Sequence, residues 1–169
     1  MKWFALVLVA ISAMFVVGPA ATTAGTDEPT LARLPRATPA GSVSQFGHVK
    51  TLNARGSRYE LRFDPALWLS GITASRAALE DIGSGDVPND YYIRDGSHRL
   101  LTYRVPSAAI VTVLDRQLRP FRISVADLAQ VVEGRNPTGR ALYDRMSGLG
   151  FWILVRGDSV RALDQQYQP

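Results

Sequence analysis

The chain has no cysteine. That excludes disulfides, thiol catalysis, haem attachment through cysteine and a lipid-modified cysteine behind a leader. It has two histidines, His48 and His98. A metal site on them would need a third ligand, and no ligand spacing supplies one. Charge of one sign is also scarce: 19 Lys and Arg stand against 15 Asp and Glu. Without Lys2 the count is 18 against 15, a formal +3. So small an excess gives no reason to expect nucleic acid as a partner. The bases are almost all Arg, for which codon bias is the simpler source than selected anion binding.

One stretch is apolar throughout. Phe4 to Val17 follows Lys2, ends at Gly18-Pro19 and leads into small residues. The run has the length of a signal-peptide core and is short for a membrane span. Thr22 and Ala24 fit the small-residue positions before a cut, so residues 1–24 read as a signal peptide cleaved after Ala24. The chain is expected outside the cytoplasm, with no stable span after cleavage. Residues 25–45 hold Pro29, Pro35 and Pro39 among Thr, Ala and Gly, and read as a disordered spacer. Residues 46–169 are long enough for one domain with its own core.

Within that domain the period is mostly two. Gly47 to Ala54 reads as a strand, Arg55-Gly56-Ser57 as its turn, and Arg58 to Phe63 as the return. Tyr59, Leu61 and Phe63 point inward, and Arg58, Glu60 and Arg62 outward. Tyr91 to Tyr103 reads as a central hairpin with a type II′ turn at Gly96-Ser97. Leu67, Trp68 and Leu69 are expected to cover one end of the fold. A helix is expected from a Ser70 N-cap to Ile82, with Ile72, Leu79 and Ile82 as its apolar stripe and Gly83 as its stop. Further strands are expected at 109–114 and 151–155. Ser124 with Asp127 forms a capping box for a second helix, stapled by Ile123 and Leu128 and ending near Glu133. Residues 135–148 are the least readable, with one helical turn expected around Leu142-Tyr143. Val160 to Tyr167 fits a helical face, but Gly157-Asp158 has hairpin chemistry and favours a strand. The sum is a mainly β (α+β) domain: a small antiparallel barrel or roll, OB-like, with about seven strands and two short helices.

Four segments carry a resemblance. Asp64 to Gly71, Val87 to Arg94, Phe151-Trp152-Ile153 and the ending Asp164 to Pro169 resemble a group of uncharacterised secreted bacterial β-rich domains. The likeness runs from about Gly47 to Pro169. It implies one extracytoplasmic β-rich domain and carries over no catalytic residue. The group often has Asn where this chain has Asp95, and Glu-Glu-Gln-Tyr where this chain has Asp164 to Tyr167.

The chemistry-bearing residues make no familiar constellation. Asp95, Ser97 and His98 are the right types for acyl transfer, but neighbours in one turn seldom align and no nucleophile elbow precedes Ser97. Glu80, Asp81, Asp86, Asn89 and Asp90 match no calcium loop. No catalytic residue, metal or cofactor is therefore expected. Trp68 and Trp152 read as core. The candidate binding residues are Tyr92, Arg94, Arg99 and Arg104, with Arg116, Arg119 and Arg122 as further outward cations. Such a patch suits an envelope glycan or polyanion, or another extracytoplasmic protein. The leading expectation is a non-catalytic secreted module. A small secreted hydrolase with its site at 135–148 is the alternative.

The address is testable by N-terminal sequencing of the protein recovered outside the cytoplasmic membrane. A first residue between Ala21 and Gly25 is expected. An intact Met1 in the membrane fraction would mean an anchor instead.

Overall fold

The computed structural model describes residues 36–96, 99–143 and 149–168. The expected leader, most of the expected spacer, Ser97, His98, residues 144–148 and Pro169 lie outside the described residues. Nine strands and two helices follow in order: β1 (Val43–Arg55), β2 (Arg58–Pro65), β3 (Leu67–Ser70), α1 (Gly71–Ile82), β4 (Tyr91–Arg94), β5 (Leu101–Pro106), β6 (Ile110–Leu114), β7 (Pro120–Ile123), α2 (Val125–Val132), β8 (Gly150–Arg156) and β9 (Ser159–Gln165). The fold is mainly β and barrel- or roll-like, as the alternation implies.

Seven strands form one sheet in the order β5-β2-β1-β8-β9-β6-β7. A parallel bridge between Arg104 and Ser159 joins β5 to β9, so five strands come back on themselves. The backbone N–H of Arg104 reinforces that closure by donating to the Asp158 carbonyl at 2.9 Å. Inside the ring lie Leu52, Leu61, Phe63, Val105, Val111, Phe151, Ile153, Val160 and Leu163, all 2% exposed or less. α2 contributes Val125, Leu128 and Val131 and lies against β1. Its capping box is present: Ser124 Oγ accepts from the Asp127 N–H, and the Asp127 carboxylate accepts from the Ser124 N–H.

β1 shapes the ring. Val43 to His48 pair with β8, while Gly47 to Arg55 pair with β2. The strand changes partner at Gly47-His48, and a register shift follows between Val49 and Thr51. Gly47 fits because nothing larger does. A Cβ there would lie 2.2 Å from the Asp64 carbonyl oxygen and 2.8 Å from the Phe63 ring. β1 also begins inside the expected spacer, and Arg36 before it makes a two-point ion pair with Asp164 on β9 (3.1 and 3.0 Å).

The central hairpin is not formed. β4 pairs with β3 in a separate two-stranded sheet, and β5 pairs with β2. Gly96 does not have the positive φ that a type II′ turn requires, and a Cβ on it meets nothing within 4 Å. Leu67 to Ser70 are thus a strand rather than an end cover, which with β7 accounts for nine strands instead of seven. Leu142 makes an isolated bridge with Asp115 and no helical turn.

α1 also differs from expectation. Ser70 takes the N-cap position with extended backbone, but its side chain makes no capping bond; Thr73 Oγ1 donates to the Ser70 carbonyl instead. The buried face is Ala74, Ala77 and Ala78, whereas Ile72, Leu79 and Ile82 are 81%, 58% and 65% exposed. Small residues allow close approach to β3 and β4, and Arg94 on β4 staples the helix there. Its guanidinium donates to Asp81 (2.8 and 3.0 Å), Glu80 (2.8 Å) and the Ala77 carbonyl (3.2 Å). Gly83 stops the helix as expected, with φ +74°.

Two substitutions test this account. Gly47→Ala should cost roughly 1–3 kcal/mol or more, because backbone has to move. Ser124→Ala should cost about 1 kcal/mol through the lost cap. Both are read from denaturant midpoints. A tolerant Gly47 would mean that the β1 bend is not as tight as described.

Candidate functional site

The outer face of β1, β2 and β5 gathers cations. Strand parity puts Leu52, Leu61 and Phe63 inside, and so turns Arg58, Glu60 and Arg62 outward. The register sets Arg55 opposite Arg58, Asn53 opposite Glu60 and Thr51 opposite Arg62. On the other side β5 sets Arg104 opposite Glu60 and Thr102 opposite Arg62. A groove of about 550 Å³ runs here, lined by residues that include Arg55, Arg58, Glu60, Thr102, Arg104 and Asp158. The β1–β2 turn flanks it on one side and the Gly157-Asp158 turn on the other.

Its charges are loosely satisfied. Arg55 lies 3.7 Å from Glu60, and Arg104 lies 3.9 Å from Asp158. Both distances exceed a hydrogen bond, and all four side chains are well exposed. Pairs of this kind contribute about 0–1 kcal/mol. Arg62 donates to Thr102 Oγ1 at 2.6 Å, while Arg58 is exposed and makes no ion pair among the described residues. Four guanidinium groups therefore share a face with two carboxylates. The like-charged Arg55 and Arg58 stand directly opposite, an arrangement that costs stability in a sheet.

Tyr59 and Tyr103 border the groove, but their rings serve the core. Both pack against the central cluster, and the Tyr103 hydroxyl donates to Gln45 Oε1 at 2.9 Å. Burial raises the Tyr103 phenol above its ordinary pKa. The groove thus offers guanidinium groups, hydroxyls and the partly exposed edges of two tyrosines that pack on the core.

The four residues expected to bind lie on different elements. Arg104 is in the groove. Tyr92 and Arg94 belong to the two-stranded sheet, where the Asp81 and Glu80 carboxylates hold Arg94 charged well above the usual arginine range. Burial and Asp81 raise the Tyr92 phenol. Arg99 is exposed ahead of β5. Of the other cations, Arg119 is bonded to the buried Asp115, and Arg122 is exposed on β7. Burial opposes ionisation of Asp115, but the Arg119 and Gln117 N–H groups and the Arg119 guanidinium outweigh it and keep its pKa below the ordinary value. Sequence reasoning missed Arg55, Arg58 and Arg62 as a site. The outward alternation was visible; the pairing of β2 with β5, which brings Arg104 beside them, was not.

Other candidates are dispersed. Among the described residues no three His, Cys, Asp or Glu side chains group as metal ligands. Glu80 and Asp81 serve Arg94, and His48 lies 3.9 Å from Asp95. Within the 135–148 loop, residues 136–140 form a self-bonded turn around Asn136, Thr138 and Arg140, and residues 141–143 bond to Leu114 and Arg116. Among the described residues no helix is long and apolar enough to cross a membrane. No family model, curated protein or solved structure matches the chain.

The Arg55–Arg58 opposition predicts that Arg58→Gln stabilises the free protein at low salt by about 0.2–1 kcal/mol, with the gain fading as salt rises. Denaturant midpoints at two ionic strengths check this. Destabilisation at low salt would mean that Arg58 is held by contacts of its own.

Proposed function

We propose that this protein is a non-catalytic binding module of the cell envelope, exported by its leader, whose β1-β2-β5 face takes an anionic envelope glycan or related polyanion. The observation that carries this is the Arg55–Arg58 opposition on a face shared with Arg62 and Arg104. An anion placed between the tip arginines removes their repulsion. It exchanges the loose Arg55–Glu60 contact for charge-assisted hydrogen bonds, each of which typically contributes about 1.5–3 kcal/mol. Little has to be broken first.

The place in the fold supports the reading by analogy. In OB-type barrels the second and third ring strands, with two flanking loops, form the face that takes oligosaccharides and oligonucleotides. The same region is basic here. Single-stranded nucleic acid is the weaker fit, because its binding rests on aromatic stacking and both groove tyrosines pack against the core over most of their surface. The resemblance to secreted bacterial β-rich domains supports the extracytoplasmic setting. No specific observation favours the hydrolase reading.

The test is a titration with a soluble poly(glycerol phosphate). Wild type should bind, and log affinity should fall linearly with log salt. Arg58→Gln and Arg104→Gln should each weaken binding and lower the salt slope by about one. Arg122→Gln, on β7, should not. Failure of wild type to bind, or equal loss in the Arg122 variant, would refute the face. Tighter binding of a single-stranded oligonucleotide would reassign it to nucleic acid.

A further inference from the structure

A second concavity, of about 430 Å³, lies where β3 meets the outside of the ring. Its lining includes Gln45, Phe46, Trp68, Arg94, Gly96 and Trp152. Three rings pack together in it. Phe46 and Trp68 lie 5.1 Å apart at 73°, and Phe46 and Trp152 lie 5.4 Å apart at 57°. Phe46 is buried, but both tryptophans keep part of their surface exposed. Trp152 Nε1 donates to Gln166 Oε1 at 3.1 Å, so its indole has only ring surface to offer.

The charge here differs from that of the basic groove. Arg94 faces Glu80 and Asp81, so one guanidinium meets two carboxylates. An anion gains nothing from that balance. A quaternary cation is also a poor fit, because the rings touch each other instead of opening into a cage. Arg94 bonds through Nε and Nη2, and its Nη1 makes no hydrogen bond among the described residues. The pocket therefore combines apolar ring surface with a guanidinium whose charge is already answered. That is the composition of a site for an uncharged ring with hydrogen-bond acceptors.

We infer that this pocket binds an uncharged pyranoside of an N-acetylated amino sugar. Its C–H face and acetyl methyl lie on Trp152, since Tyr91 already stacks on Trp68, and its acetamide carbonyl accepts from the Arg94 guanidinium. The inference does not need the β1-β2-β5 arginines and stands apart from the polyanion reading.

Gly96 provides the means to test it. It lines the pocket, lacks a positive φ, and has open space where a Cβ would go. Gly96→Phe should fill the pocket while leaving the fold intact, as a denaturant midpoint will check. The probe is the N-acetylglucosamine trisaccharide, titrated by calorimetry and by tryptophan fluorescence. Wild type should bind at millimolar concentration or better. Gly96→Phe should weaken binding about tenfold or more, and Trp152→Leu should do the same. The Arg58→Gln, Arg104→Gln double variant should bind the trisaccharide unchanged while losing poly(glycerol phosphate), so failure of one reading leaves the other standing. Absence of wild-type binding, full binding by folded Gly96→Phe, or equal binding of the glucose trisaccharide would overturn the proposal. Binding of a fluorescent proline-rich peptide by wild type and its loss in Gly96→Phe, with no sugar binding, would overturn the proposal in favour of a peptide groove.

Discussion

β1 has to hydrogen-bond with two partners around one bend, and Gly47 is where it does so. At that point the strand pairs with Pro65 on one side and Phe151 on the other. The Asp64 carbonyl and the Phe63 ring occupy the space a side chain would need. Glycine in a strand interior is costly unless another backbone approaches closely, which happens here. The bend lets β2 and β8 leave β1 in different directions. β5 and β9 then meet at Arg104 and Ser159. Removing the bend opens the ring, and opening the ring separates Arg104 from the turn at Asp158.

The outside of that ring is divided into two chemistries by what packs on it. Over β1 and β8, the β3–β4 ribbon lays Trp68 against Phe46, and Tyr91 stacks on Trp68 at 4.3 Å. α1 follows on alanines, held by Arg94. Nothing comparable covers β2 and β5 among the described residues, and their outward positions carry arginine, threonine and one glutamate, Glu60. An Arg on the covered side is committed to internal carboxylates. On the open side Arg55 and Arg104 have loose carboxylate partners, Arg62 bonds to Thr102, and Arg58 makes no ion pair among the described residues. Similar residue types therefore serve as a staple in one place and as an open contact in the other.

Much of this was legible in the chain. The alternation of Arg58 to Phe63 gave the correct inward and outward faces, because one face is buried and one is wet. Ser124 and Asp127 gave the α2 start, since a capping box is local chemistry. Gly157-Asp158 gave the β8–β9 turn for the same reason. The unread parts depend on partners distant in sequence. β4 and β5 looked like a hairpin because Gly96 lies between two alternating runs, yet β5 pairs with β2, some forty residues earlier. The apolar positions of α1 pointed to the wrong face, because alanines allow closer packing than Ile72 or Leu79 would. The basic face was hidden because Arg58 and Arg62 read as ordinary wet-face residues until Arg104 joined them. The 135–148 segment stayed opaque, and residues 144–148 lie outside the described residues.

The central claim is that the ring presents one specific face to an anionic polymer. Backbone amide chemical shifts, followed as poly(glycerol phosphate) is added to the isotope-labelled protein, test it most directly. The account predicts that the largest changes fall on residues 51–62, 102–104 and 156–159, with β3, α1 and the 135–143 turn unmoved. Changes centred on the 135–143 turn, or spread evenly over every exposed arginine, would contradict it.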